Sequence, residues 1–219
     1  MRSRYWALRC AASRLSTLVS GQAGVNVTTA RSEVERFVRT APPPRVRWLL
    51  SELASDHAGE TGAVYIYRGA QAALGNRGDD TARAFVRQHL ATESQHLEYF
   101  DALLAQQHRS SLLPAWRAAG FALGWLPTTV GGSRWLYATV EAVETFVEEH
   151  YAQQTADADL RVQCPELVAL MESCAKDEIE HKLDAASRAG GIGHTAVGKA
   201  WAALVGGGSA AAVDLARRL

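Results

Sequence analysis

ESQH at residues 93–96 and EIEH at residues 178–181 share the pattern Glu-x-x-His. In a helix, side chains three residues apart project from the same face, so one metal ion can take an oxygen from the glutamate and a nitrogen from the histidine. A single copy of this pattern arises easily by chance, because helices are rich in glutamate. Two copies in one chain indicate a metal centre built from helices.

Each copy is preceded by a glutamate among apolar residues, Glu60 in HAGETGAVYIY and Glu144 in TVEAVETFVEEHY. The spacing repeats, since Glu60 precedes Glu93 by 33 residues and Glu144 precedes Glu178 by 34. This layout predicts two helical hairpins that together supply the ligand set of ferritin-like di-iron proteins. The six predicted metal ligands are Glu60, Glu93, His96, Glu144, Glu178 and His181.

Glu144 has two rivals, because Glu141 and Glu148 lie along the same helical face. The spacing to Glu178 and the apolar flanks favour Glu144, with Glu148 second. Taken singly, each of the six residues fits an ordinary helix surface or core, and only the repeated spacing favours a metal site. Oxygen-rich sites with one imidazole per metal suit iron or manganese, whereas zinc prefers more nitrogen or sulfur.

Four polar residues near these ligands are candidates for orienting them from outside: Asp56, His57, His150 and Tyr151. His57 lies about one turn before Glu60, and the pair at 150–151 lies about two turns after Glu144. Gly59 and Gly62 flank Glu60, and each glycine costs a helix about 1 kcal/mol relative to alanine. They indicate that a neighbouring helix or a substrate comes close to the backbone there.

The chain lacks the alternating runs of β-branched residues that are typical of strands. Between clusters of Gly and Pro, helical periodicity predicts helices near 46–74, 80–108, 113–126, 133–157, 165–189 and 195–217. We therefore predict an all-α fold, a ferritin-like four-helix bundle with two additional apolar helices. Pro42, Pro43 and Pro44 are predicted to form an extended break, which puts the folded domain at residues 41–219.

The 219 residues carry 23 basic and 23 acidic side chains, a balance that argues against a nucleic-acid partner. The charge is uneven, because residues 1–40 hold seven arginines and only two glutamates. Their first thirty residues lack acidic side chains and carry an apolar helical stripe, which is typical of a mitochondrial transit peptide. An ordinary bacterial N-terminus is the alternative, since arginine predominates over lysine throughout the chain.

Two uncharged segments, at 118–133 and 200–213, stand out from the rest of the chain. Both are too short, or too interrupted by Gly and Pro, to span a bilayer, which takes about 20 apolar residues. Helices of this kind fit a protein that lies on a membrane or grips an apolar ligand. The alternative is that they only close the core.

Several motifs together resemble the demethoxyubiquinone hydroxylases of ubiquinone biosynthesis. They are DHAGETGA at 56–63, IYRGAQAAL at 66–74, the Glu-x-x-His of 93–96, GFALG at 120–124, AVE at 142–144 with His150-Tyr151, and DEIEH at 177–181. The resemblance places the family's iron ligands on the same six residues. It implies a monooxygenase with two iron ions per chain that uses O2, with NADH or another reductant, to hydroxylate the ring of a polyprenyl quinone precursor.

The same resemblance implies a peripheral protein of the mitochondrial inner membrane, on its matrix side, or of the cytoplasmic membrane in bacteria. Eukaryotic members of the family work with a lipid-binding partner and with other enzymes of the pathway. SDHAGETGAV departs from the family's RVDHAGE form, and Glu148 and Glu149 stand where more His-like residues are expected, so a different quinone or lipid is an open alternative for the substrate. An iron store and a metal-free membrane-interaction module are the competing functions.

Overall fold

The computed structural model describes residues 25–75 and 79–218. Within these ranges it contains eight α-helices and no strand, which confirms the predicted all-α class. The helices are α1 (Val27–Thr40), α2 (Pro43–Leu74), α3 (Asp80–Leu103), α4 (Leu113–Gly131), α5 (Ser133–Thr155), α6 (Ala158–Gln163), α7 (Pro165–Arg188) and α8 (Ala196–Ala216). Short 3-10 turns lie at Gln106–His108 and Ile192–His194.

Helices α2, α3, α5 and α7 form the four-helix bundle, as two hairpins, α2 with α3 and α5 with α7. Two apolar clusters fill the bundle at different heights. One surrounds Phe100, Tyr151 and Met171, and the other surrounds Tyr67, Phe85 and Leu136. The middle turns of the four helices lie between these clusters, and the predicted ligands come from those turns.

Helix α1 belongs to the folded domain, so the boundary predicted at residue 41 is too late. Val27, Ala30, Val34 and Phe37 are buried in the same cluster as Phe100. The prolines make only a short break, because Pro43 and Pro44 form the first turn of α2, where a missing N–H costs nothing. Residues 1–24, which hold most of the predicted transit peptide, lie outside the described residues.

The helix boundaries differ from the prediction at two further places. Helix α4 continues through Pro127, because a proline inside a helix can bend it without ending it, and stops at Gly132, where φ is 72°. Helix α3 ends at Leu103 instead of 108, and a short helix that was not predicted, α6, follows α5. None of these differences moves a predicted ligand.

The two uncharged segments lie in α4 and α8, which pack on the outside of the bundle against α2 and α5 respectively. Helix α4 exposes Phe121, Trp125, Leu126 and Val130. Helix α8 is the one described helix with the length and hydropathy to cross a membrane, and only 11% of its most apolar stretch is buried. One such helix is weak evidence for a membrane span.

Helices α2 and α4 approach each other closely through glycines. A Cβ atom on Gly124 would lie 1.8 Å from the carbonyl oxygen of Ile66, and one on Gly120 would lie 2.4 Å from that of Gly62. No larger residue fits at these crossing points, so the glycines of GFALG are required by packing. By contrast, a Cβ on Gly59 or Gly62 would meet nothing within 4 Å.

Candidate metal centre

All six predicted ligands lie together in the bundle centre, and each is at most 4% exposed. Their ligand atoms form two overlapping groups in which every atom lies within 4.8 Å of the others. One group is Glu60, Glu93, His96 and Glu178, and the other is Glu93, Glu144, Glu178 and His181. The arrangement therefore fits two metal positions that share Glu93 and Glu178, with one further glutamate and one histidine at each.

Both histidines present Nδ1 to the carboxylates. His96 Nδ1 lies 2.9 Å from Glu178 Oε1, and His181 Nδ1 lies 3.0 Å from oxygens of both Glu93 and Glu178. On the other side of the ring, His96 Nε2 lies 3.1 Å from Asp177 Oδ2. A carboxylate on the far nitrogen fixes the orientation of an imidazole and makes it a better metal ligand.

Packing four carboxyl groups into the protein interior strongly perturbs their ionisation. Burial and the charge of Glu178 raise the pKa of Glu93 to about 8. Burial and the charges of Glu178 and Glu93 raise the pKa of Glu144 well above its ordinary value. Burial opposes ionisation of Glu178 too, but hydrogen bonds to His181 and His96 outweigh it and lower its pKa to about 2.

The donor set fits multivalent cations of the iron or manganese kind. Four carboxylates and two imidazoles are hard and borderline ligands, and a cation would offset the repulsion that raises the pKa values. Glu60 Oε2 is buried and has no hydrogen-bond partner among the described residues. A buried carboxylate oxygen that lies among other carboxylates and has no hydrogen-bond partner is a good candidate for a metal ligand.

Of the four candidate orienting residues, only Tyr151 contacts a predicted ligand. Its hydroxyl donates to Glu60 Oε1 over 2.6 Å. His150 bonds to Asp56 through Nε2 at 2.9 Å, so these two residues pair with each other and not with the ligands. His57 Nε2 lies 3.0 Å from Asp101 of α3, and His57 belongs to neither ligand group.

The rivals of Glu144 lie away from the centre. Glu148 is partly exposed and pairs with Lys182, and Glu141 is also partly exposed. Glu144 is 3% exposed and belongs to the second ligand group. Of the three glutamates, Glu144 is therefore the one that lies in the buried cluster, and its role as a ligand stays a prediction.

A cavity of about 400 Å³ ends on the ligand cluster. Its inner end is formed by the four carboxyl groups and Tyr151, and neither His96 nor His181 lines it. Most of its wall is apolar, and α4 and α8 contribute Trp116, Leu123, Trp201 and Val205 to it beside residues of α2 and α5. Gly59 and Gly62 both line the cavity, and α4 also comes close to the backbone of Gly62 at Gly120, so a neighbouring helix and an open cavity both lie beside these glycines.

The chain matches the family model of the ubiquinone biosynthesis protein COQ7 over residues 47–216. The chain belongs to the COQ7 family. The match includes all four bundle helices, both apolar helices and all six clustered residues.

Curated relatives of this COQ7-family chain carry names of one activity. Over 135 residues the chain is 38% identical to the 3-demethoxyubiquinol 3-hydroxylase of Rhodospirillum rubrum, which covers 59% of this chain and 60% of the relative. It is 34% identical over 129 residues, 58% of each chain, to the mitochondrial NADPH-dependent 3-demethoxyubiquinone 3-hydroxylase of Dictyostelium discoideum. It is 29% identical over 182 residues to the human protein of that name, covering 81% of this chain and 79% of the relative. The match thus spans about three fifths of the first two relatives.

Sequence reasoning missed two acidic residues around the centre of this COQ7-family chain. Asp177 precedes a predicted ligand in DEIEH, but its contact is with the histidine of the other motif, which spacing within one helix does not predict. Asp184 lies 3.2 Å from His89 Nε2, and the His89 ring packs edge-on against His181 with 4.1 Å between centroids. His89 lies one turn before Glu93, but a lone helical histidine carries no signal that separates this position from a surface one.

Proposed function

We propose that this chain is an O2-dependent di-iron hydroxylase that adds a hydroxyl group to the ring of a demethoxyubiquinone or demethoxyubiquinol precursor. The single observation that carries the proposal is an apolar cavity that ends on four buried carboxyl groups. An iron store has no use for such a cavity, and a metal-free membrane module leaves the buried cluster unexplained. The names of the curated relatives support the substrate class.

Two iron ions would be held by the six clustered residues. Glu60 and His96 would serve one ion, Glu144 and His181 the other, and Glu93 and Glu178 both. When bound, two iron ions would supply the electrons that reduce O2. In the overall reaction one oxygen atom becomes the ring hydroxyl, the other becomes water, and a reductant supplies two electrons. We expected NADH or another reductant, and the names of the mitochondrial relatives favour NADPH.

The protein's own side chains bind the substrate and shield the site. The open end of the carboxylate cluster faces the cavity, so the quinone ring would lie against it there. The apolar walls of α4 and α8 would receive the isoprenoid tail and exclude water. Tyr151 holds Glu60 in place at the cavity end. Ser55, Asp56 and His150 add polar groups to the same cavity, where the oxygens of a quinone ring need partners.

The exposed apolar surface of α4 supports the proposal of a peripheral position on a membrane. Helix α4 lines the cavity with one set of side chains and exposes apolar ones on its outer surface, so a polyprenyl tail would enter beside this helix from a bilayer. We propose the matrix side of the mitochondrial inner membrane, with the bacterial cytoplasmic membrane as the alternative. A lipid-binding partner and other enzymes of ubiquinone biosynthesis would dock beside this surface.

The test is anaerobic reconstitution with iron(II) followed by turnover with O2, NADPH and a short-chain demethoxyubiquinone. We expect about two irons per chain and a product heavier by one oxygen atom in mass spectrometry. Glu178→Gln should abolish metal-dependent turnover while the helical circular-dichroism spectrum stays unchanged, and retained activity would contradict its role as a shared ligand. If iron binds but no demethoxyubiquinone is hydroxylated, the substrate is wrong and the metal site stands.

A further inference from the structure

The two hairpins carry a repeat that extends beyond the ligands. Glu144 follows Glu60 by 84 residues, and both Glu178 and His181 follow their counterparts by 85. A tyrosine stands seven residues after the first glutamate of each hairpin, Tyr67 in α2 and Tyr151 in α5. Seven residues are about two helical turns, so each tyrosine lies on the same face of its helix as the glutamate.

Tyr151 uses this position to reach across the bundle. It is 1% exposed, and its hydroxyl donates to Glu60 of the opposite hairpin over 2.6 Å. A carboxylate that binds a metal through one oxygen needs a donor for the other, and such donors fix the ligand's orientation. Tyr151 therefore holds the unshared glutamate of one predicted metal position.

Tyr67 has the same setting but no partner. It is 1% exposed, its ring stacks against His89, and its hydroxyl is buried without a hydrogen-bond partner among the described residues. Burial, and next the charge of Glu144, raise the pKa of Tyr67 well above its ordinary value. The hydroxyl therefore stays protonated as a donor, and the repeat makes Glu144 the counterpart of the Glu60 that Tyr151 contacts.

We propose that Tyr67 donates a hydrogen bond to Glu144 when metal is bound, as Tyr151 does to Glu60, and so positions the unshared glutamate of the second metal site. This inference rests on the proposed metal function. Tyr67 does not line the cavity, whereas Tyr151 does, so the role of Tyr67 is confined to the metal site. An unpaired buried hydroxyl costs stability, and a bond formed only in the loaded protein explains why the hydroxyl is kept.

The experiment compares Tyr67→Phe with wild type in the full chain, using cobalt(II) as a spectroscopic stand-in for iron(II). Absorption titration should show two equivalents in wild type, and in Tyr67→Phe one of the two should bind about 10- to 100-fold more weakly. Without metal, the melting temperature of Tyr67→Phe should equal or exceed that of wild type, because the change removes an unpaired hydroxyl. The stabilisation gained on loading with cobalt should be smaller in the variant.

Two further variants make the test specific. Tyr137→Phe removes a hydroxyl from the same aromatic cluster, but one that pairs with Arg188, and it should bind cobalt as wild type does. When Glu144→Gln is already present, adding Tyr67→Phe should not weaken binding of the one cobalt equivalent that remains, because the carboxylate with which Tyr67 would pair has been removed.

Two results would overturn the inference alone: two equivalents bound by Tyr67→Phe with wild-type affinity, or a lower melting temperature without metal and unchanged cobalt binding. The second result would assign Tyr67 a packing role. A wild-type chain that binds neither cobalt nor iron would overturn the proposed metal function, and this inference with it.

Discussion

The close packing of α4 on α2 makes Gly124 sensitive to a single added methyl group. The Cβ of Gly124→Ala would lie 1.8 Å from the carbonyl oxygen of Ile66, where ordinary contact begins at 3.4 Å. The partner is backbone, so α4 must move outward by roughly 1.6 Å, which puts the overpacking cost at the upper end of the usual range, about 3 kcal/mol. Alanine returns about 1 kcal/mol of helix propensity, and we expect a net loss of about 2 kcal/mol.

Thermal unfolding followed by circular dichroism measures this loss. For a chain of this size, about 2 kcal/mol corresponds to a melting temperature lower by about 4–8 °C. Gly207→Ala is the matched control, because it also lies in an apolar helix but its Cβ would meet nothing within 4 Å. It should raise the melting temperature by about 2–4 °C. A Gly124→Ala chain as stable as wild type would refute the packing described between α2 and α4.

Three further predictions test the metal centre and the surface. Glu144→Gln should reduce bound iron from about two to about one per chain, whereas Glu148→Gln should leave it unchanged; loss in both variants alike would restore Glu148 as a rival. In the presence of a chelator, the free energy of unfolding should fall by about 1–2 kcal/mol per pH unit between pH 7 and pH 9. The folded pKa values of Glu93, about 8, and His181, about 10, exceed their ordinary values, so folding favours the protonated forms and this advantage is lost as the pH rises. Urea denaturation that gives the same free energy across this range would contradict the prediction. Trp125→Asp should weaken sedimentation with liposomes, and a wild type that does not bind them would remove the membrane proposal.

The ligand cluster could be predicted from the sequence because local geometry determines it. Each Glu-x-x-His fixes two ligands on one helical face, and the nearly equal spacing to Glu60 and Glu144 supplies the rest. The partners of those ligands depend on long-range packing. Asp177 reaches a histidine 81 residues away, and no periodicity within a helix predicts that contact.

The missed helix α1 did carry a local signal. Val27, Ala30, Val34 and Phe37 recur every three to four residues, as on a buried helical face. We predicted a targeting segment there instead, because arginine is in excess over the first forty residues and three prolines follow them. Most of that positive charge lies before residue 25, so the charge argument applies to a shorter segment than we predicted.

Helices α4 and α8 explain why a nearly two-fold bundle has a cavity on one side. Each follows one hairpin and packs against the first helix of that hairpin, α4 on α2 and α8 on α5. Gly124 in α4 and Gly208 in α8 are 84 residues apart, the same offset as Glu60 and Glu144. Gly124 touches the backbone of its neighbour, whereas a Cβ on Gly208 would meet nothing within 4 Å, and Gly208 lines the cavity. The same kind of small, apolar helix therefore packs tightly against its neighbour at Gly124 and leaves room at Gly208, and the cavity that both helices line leads to the carboxylate cluster.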